Sequence, residues 1–169
     1  LYCVFGLLSI LSKENGVLIP LYALVLEATL LKKMKLEGSF LDKKLWLFVK
    51  GPVFVILAYM AFRLPDFISG YTRREFSFVE RILTEPRILL DYMHSIVVPS
   101  LGDSGIFHDD YLVSKSLIDP ISTIFSIAVI GTLLLSAIYF RNKFSVFSMA
   151  ILFFFAGHLV ESTIVPLEL

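Results

Sequence analysis

Residues 121–160 read ISTIFSIAVIGTLLLSAIYF, then RNK, then FSVFSMAILFFFAGHLV. Two apolar runs with a three-residue polar break between them fit a helical hairpin. A hydrocarbon core of about 30 Å asks for roughly 17–25 mostly apolar residues at a rise of about 1.5 Å each, and both runs meet or approach that length. The same test picks out Gly16–Leu31 and Leu45–Phe62. We therefore expect spans at 16–32, 45–62, 121–140 and 144–162, with residues 1–11 as the end of a further span. The fold class this implies is all-α: one polytopic transmembrane helix bundle over residues 1–169.

Composition agrees. The chain is 57% hydrophobic with 16 Phe, only 18% charged residues and a mean hydropathy of +0.81, beyond what a soluble domain of 169 residues needs for its core. The formal net charge is zero, so the basic excess that a nucleic-acid partner requires is missing. Cys3 is the single cysteine, which excludes an internal disulfide and a multi-cysteine metal site. Leu1–Leu11 has no initiating Met and no basic leader, and Pro166-Leu167-Glu168-Leu169 stops without a polar tail. These ends suggest an internal piece of a larger protein.

Orientation follows from the short connections. Lys32, Lys33, Lys35, Lys43 and Lys44 put five lysines around the 33–44 connection, and Arg141 and Lys143 flank Asn142 in the other. Both are expected on the cytoplasmic side. The long connection 63–120 mixes its basic residues with acids and is expected to be extracytoplasmic. Within it, Thr72 with Glu75 three residues on offers a helix cap. Phe76, Phe78, Val79, Ile82 and Leu83 follow at helical spacing, and Pro86 then suits the first turn of a second helix through Ile96. Amphipathic pieces of this kind suit the membrane interface. Trp46 and Tyr59, towards opposite ends of one span, fit interfacial anchoring.

Three polar clusters then fall on one side of the membrane. Lys13, Glu14 and Asn15 lie between two apolar runs with almost no room for a loop, and charges at such a depth commonly mark a functional site. The ammonium and helix-start amides there could receive a lipid-linked phosphate; equally, the turn could only solvate a hairpin. His108, Asp109, Asp110 and Tyr111 put one imidazole and two carboxylates in four residues. Asp109 and Asp110 could hold a divalent cation through oxygen ligands or supply a base, although such a pair is also an ordinary solvated loop. His158 and Glu161 share one helical face near the end of the last span, with Glu168 beyond Pro166, and are expected to face a wet cavity or another helix. Glu27 is expected to pair with Lys32 or Lys33, or to snorkel.

Ser12-Lys13-Glu14-Asn15-Gly16, Glu80–Arg87, the run from His108-Asp109-Asp110-Tyr111 to Asp119-Pro120, and His158-Leu159-Val160-Glu161-Ser162 through Pro166-Leu167-Glu168-Leu169 together resemble bacterial multi-spanning proteins with C-terminal tetratricopeptide repeats. Those are similar to the transmembrane-and-tetratricopeptide-repeat mannosyltransferases of the GT-C superfamily, which includes the protein O-mannosyltransferases. The resemblance spans nearly the whole chain and rests on the order of the motifs, none of which is diagnostic alone. It implies transfer of a sugar from a polyprenyl-phosphate donor to an acceptor, protein among the candidates, on the outer face of a bacterial inner membrane. By resemblance, Lys13, Glu14 and Asn15 border the donor phosphate, and His108–Tyr111 with His158 and Glu161 line the outer cavity. The catalytic carboxylate of such enzymes would lie before Leu1 and the repeats after Leu169. Two other classes fit the composition: a transporter or channel segment, in which Lys13, Glu14, His158 and Glu161 line a path, and a scaffold that binds a partner through 75–96.

Overall fold

The computed structural model describes residues 8, 9, 11–31, 49–99 and 111–162. The expected partial span 1–11 falls largely outside them, as do the 33–44 connection, Trp46, Glu168, and His108, Asp109 and Asp110. The described residues are helical and contain no strand. After a 3-10 turn at Glu14–Leu18 come α1 (Ile19–Thr29), α2 (Gly51–Gly70), a 3-10 turn at Tyr71–Arg73, α3 (Phe78–Val97), α4 (Ser122–Phe140) and α5 (Ser145–His158). Helices α2 and α4 are long and apolar enough to cross a membrane. Helix α2 buries none of its residues, and α4 buries only Thr123, Ser126 and Ala137. A core helix of a water-soluble domain would hide most of such a surface.

The two other expected spans form shorter helices. Helix α1 starts where Pro20 stands in its first turn, a position that needs no amide donor. It ends at Thr29, whose hydroxyl donates back to the Val25 carbonyl at 2.7 Å. Helix α5 stops at His158, where the Leu159 amide reaches back three residues to the Ala156 carbonyl at 3.4 Å, the tightening common at a last turn.

Two boundaries inside the 63–120 connection depart from expectation. The span expected to stop at Phe62 runs on to Gly70 through Pro65. Proline removes one main-chain donor, but the final turns are held by side chains, with Ser69 donating to the Asp66 carbonyl at 2.7 Å and Thr72 to the Ser69 carbonyl at 2.8 Å. The second departure is that α3 is one helix, capped by Ser77 and not by Thr72. Ser77 Oγ accepts from the Glu80 amide at 3.3 Å while Glu80 Oε2 accepts from the Ser77 amide at 2.7 Å, a complete capping box. Pro86 sits inside this helix instead of starting another.

The chain divides into two compact units. Unit 1 comprises residues 1–64 and 134–160, and unit 2 comprises residues 65–133 and 161–169. In unit 1, α1 packs on α5 through Tyr22 stacked on Phe153, with ring centroids 4.2 Å apart. Such a pair contributes about 0.5–1.5 kcal/mol beyond its area. In unit 2, Tyr71 is buried and meets Phe76 and Phe78 edge-on at 6.2 and 5.6 Å. This aromatic cluster holds the end of α2 against the start of α3.

Candidate functional site

Helix α3 buries Arg81, Thr84 and Glu85 together with Ile88 and Leu89, and leaves Asp91, His94 and Ser95 exposed. Arg81 and Glu85, one turn apart, form an ion pair of 2.8 Å, with residue exposures of only 1% and 5%. Arg81 Nη2 also donates to the Glu161 carbonyl at 2.9 Å. Glu85 accepts from Ser162 as well, so one helical turn of α3 grips the two consecutive residues 161 and 162. The Phe76 ring lies 6.0 Å from the Arg81 guanidinium.

Burial pushes the Glu85 carboxyl above its ordinary range, and neither Arg81 nor Ser162 brings it back. The ion pair therefore falls short of offsetting the desolvation of its carboxylate. The same burial raises the phenol of Tyr71; Arg81 opposes the shift and Glu85 adds to it. The hydrogen bonds of Glu85 all run to neighbouring structure, which gives it the task of holding α3 in place.

A second layer extends the arc. Thr84 Oγ1 donates to the Glu80 carbonyl at 2.7 Å and accepts from the Ser114 amide at 2.8 Å. Ser114 Oγ lies 2.8 Å from Thr123 Oγ1 in the first turn of α4, and all three residues are fully buried. Arg87 Nη1 donates to the Leu112 carbonyl at 2.7 Å and to Ser114 Oγ at 3.1 Å, with its guanidinium 4.8 Å from the Tyr111 ring. The Tyr111 hydroxyl donates to Asp91 Oδ2 at 2.6 Å. Its phenol is pushed up, first by burial and then by that carboxylate. The segment 111–114 is thus laced to α3 by side chains at 84, 87 and 91.

Of the residues singled out in sequence, Tyr111 and Glu161 join this network, Glu161 through its main-chain carbonyl. Lys13 precedes the 3-10 turn of unit 1 in extended conformation with its side chain exposed. Glu14 opens that turn, and Asn15, half-buried, follows it. The His158 ring packs in unit 1 against Phe154, with centroids 4.7 Å apart. Among the described residues no group of three or more His, Cys, Asp or Glu side chains is placed to hold a metal. Asp109 and Asp110 lie outside those residues.

Sequence reading missed Arg81, Glu85, Thr84, Ser114 and Thr123 as a set. The available signal was the two arginines and two glutamates packed into residues 80–87 between apolar positions.

Unit 1 offers a different feature, a cleft lined only by apolar side chains, among them Val17, Leu18, Leu21, Val53, Met60 and Leu159. The space it encloses is only about 20 Å³, little more than a water-sized group needs, so it is a shallow apolar groove. Val17 and Leu18 on its wall follow Lys13 by about one helical turn.

Comparison of the chain with family models, with curated proteins and with solved structures gives no match.

Proposed function

We propose that this chain is part of an integral membrane glycosyltransferase of the GT-C kind. It would transfer a sugar from a polyprenyl-phosphate donor to an acceptor, of which a protein is the first candidate, on the extracytoplasmic face of a bacterial inner membrane. The observation that carries the reading is the wholly apolar cleft of unit 1 one turn beyond the exposed ammonium of Lys13. An apolar lining that offers no hydrogen bond is a surface along which a prenyl tail would lie, and a phosphate would be drawn to a lysine four residues before Val17 on its wall. The two membrane-length helices and the order of sequence motifs support the same reading.

In this mechanism the acceptor hydroxyl gives up its proton to a carboxylate and its oxygen bonds to the anomeric carbon. The bond from that carbon to the phosphate oxygen breaks, and the prenyl phosphate leaves with the charge that Lys13 stabilises. The base is expected upstream of Leu1.

The test is transfer from polyprenyl-phosphate sugars in membranes carrying the full-length protein, at matched expression. Lys13→Ala should weaken transfer, and Val17→Trp, which fills the cleft, should raise the KM for the donor. No transfer from any donor tested, or full transfer by both variants, would overturn the reading.

A further inference from the structure

Helix α3 buries an ion pair on its packed side and leaves much of an apolar side uncovered. At about 100° per residue, Val79, Leu83, Pro86, Leu90, Met93 and Val97 fall on one side, spaced alternately four and three residues apart. No charged residue interrupts that side. Its ends are open, with Val79 61% and Val97 76% exposed, and Leu83, Pro86, Leu90 and Met93 between them are half-buried. The side packed inward is mixed: Arg81, Thr84 and Glu85 at 1%, 0% and 5%, with Ile88 and Leu89 at 7% and 8%. A helix in water rarely takes an ion pair inward while leaving apolar residues such as Val79, Ile82, Ile96 and Val97 in the open.

The connections of α3 set its level. Its first residue packs on Tyr71, which directly follows the end of α2, a helix long enough to cross a bilayer. Its middle is tied by Thr84 through Ser114 to Thr123, in the first turn of α4, the other such helix. Both ties belong to unit 2, and both place α3 beside the ends of bilayer-length helices. An in-plane helix at that depth meets headgroups and the upper acyl chains.

We infer that α3 lies in the plane of the membrane with its Val79–Val97 stripe in contact with lipid, while the Arg81, Thr84 and Glu85 arc anchors it to its own unit. Lipid is favoured over a partner helix by the width of the surface. A coiled-coil seam is a narrow stripe flanked by charges. Here Ile82 and Ile96, both exposed, widen the apolar surface on one flank, with the buried Leu89 between them. Pro86 in the middle of the stripe also bends away from a long regular seam. The inference holds whether or not the chain transfers a sugar.

Spin labels test it in the full-length protein reconstituted in phosphatidylglycerol–phosphatidylethanolamine vesicles, with Cys3→Ser as background. Labels at Val79→Cys, Leu90→Cys and Val97→Cys should collide with dissolved oxygen in preference to a water-soluble nickel chelate. The ratio should be several-fold higher than at Asp91→Cys on the polar flank. A stripe that favours the nickel chelate would mean that it faces water, and exclusion of both reagents would mean that protein covers it, a second copy included. Either result overturns the inference.

Discussion

Deleting the Glu85 carboxylate strikes the most deeply buried charge pair among the described residues. Arg81 is 1% exposed and its guanidinium sits 2.8 Å from Glu85 Oε1, so Glu85→Ala removes the anion while leaving the cation dry. Breaking one side of such a pair costs about 3–5 kcal/mol, a large part of the roughly 5–15 kcal/mol that holds a typical domain together. Glu85→Gln should cost less, since the amide keeps the volume and can still accept from Arg81. The double variant Arg81→Met/Glu85→Leu should recover most of the loss, because no charge is then buried. The assay is unfolding of the full-length protein by sodium dodecyl sulfate from mixed micelles, followed by circular dichroism. A pH series adds a signed test. The carboxyl is raised from an ordinary 4.5 by burial, so the native state holds its proton more tightly than the unfolded chain. Its contribution is fully present below 4.5 and is lost as pH rises through the higher native value. The wild-type advantage over Glu85→Gln should therefore shrink with rising pH. A Glu85→Ala cost below about 1 kcal/mol, the size of an exposed pair, or a double variant as weak as the two single losses added, would refute the reasoning.

Gly16 and Gly131 should respond oppositely to alanine in the same unfolding assay. A Cβ at Gly16 would run into the Ser9 main chain, an overpacking cost of about 1–3 kcal/mol, whereas at Gly131, where nothing lies within 4 Å, Ala should gain roughly 0.5–1 kcal/mol of helix propensity. Ser77→Ala removes half of the capping box of α3 and should cost about 1 kcal/mol. The Ser77 hydrogen bonds hold the Glu80 carboxyl below its ordinary 4.5, so its support for α3 should be present above that value and fade as pH falls through the lower native one, a loss that Glu80→Gln should not show. Thr84→Val leaves the buried Ser114 amide without its acceptor and should cost about 1–3 kcal/mol, measured as earlier unfolding or faster amide exchange at 112–114.

Hydropathy alone made the two membrane-length helices legible, because the length requirement of a bilayer is a one-dimensional property of sequence. The boundaries around α3 were not legible, since they turn on a competition between equal local signals. Thr72 with Glu75 and Ser77 with Glu80 both spell a capping box. The burial of Tyr71 against Phe76 and Phe78 decides between them, for it fixes 71–76 as a connection and leaves only Ser77 free to start a helix. Pro86 reads as a helix start, yet it is accommodated in mid-helix, half-buried.

The buried network posed a harder problem. Periodicity shows that residues 78–97 have an apolar and a polar side, but not which of them is inside. Experience with soluble proteins assigns the apolar side inward. What brings polar residues inward beside Ile88 and Leu89 is a set of partners far along the chain: the Glu161 carbonyl for Arg81, the Ser114 amide for Thr84, and the Leu112 carbonyl for Arg87. None of these partners is marked by residue type, since two are carbonyls and one is an amide, groups that every position carries. A polar arc answered by main-chain groups is invisible to motif reading, because the groups that answer it carry no residue signature.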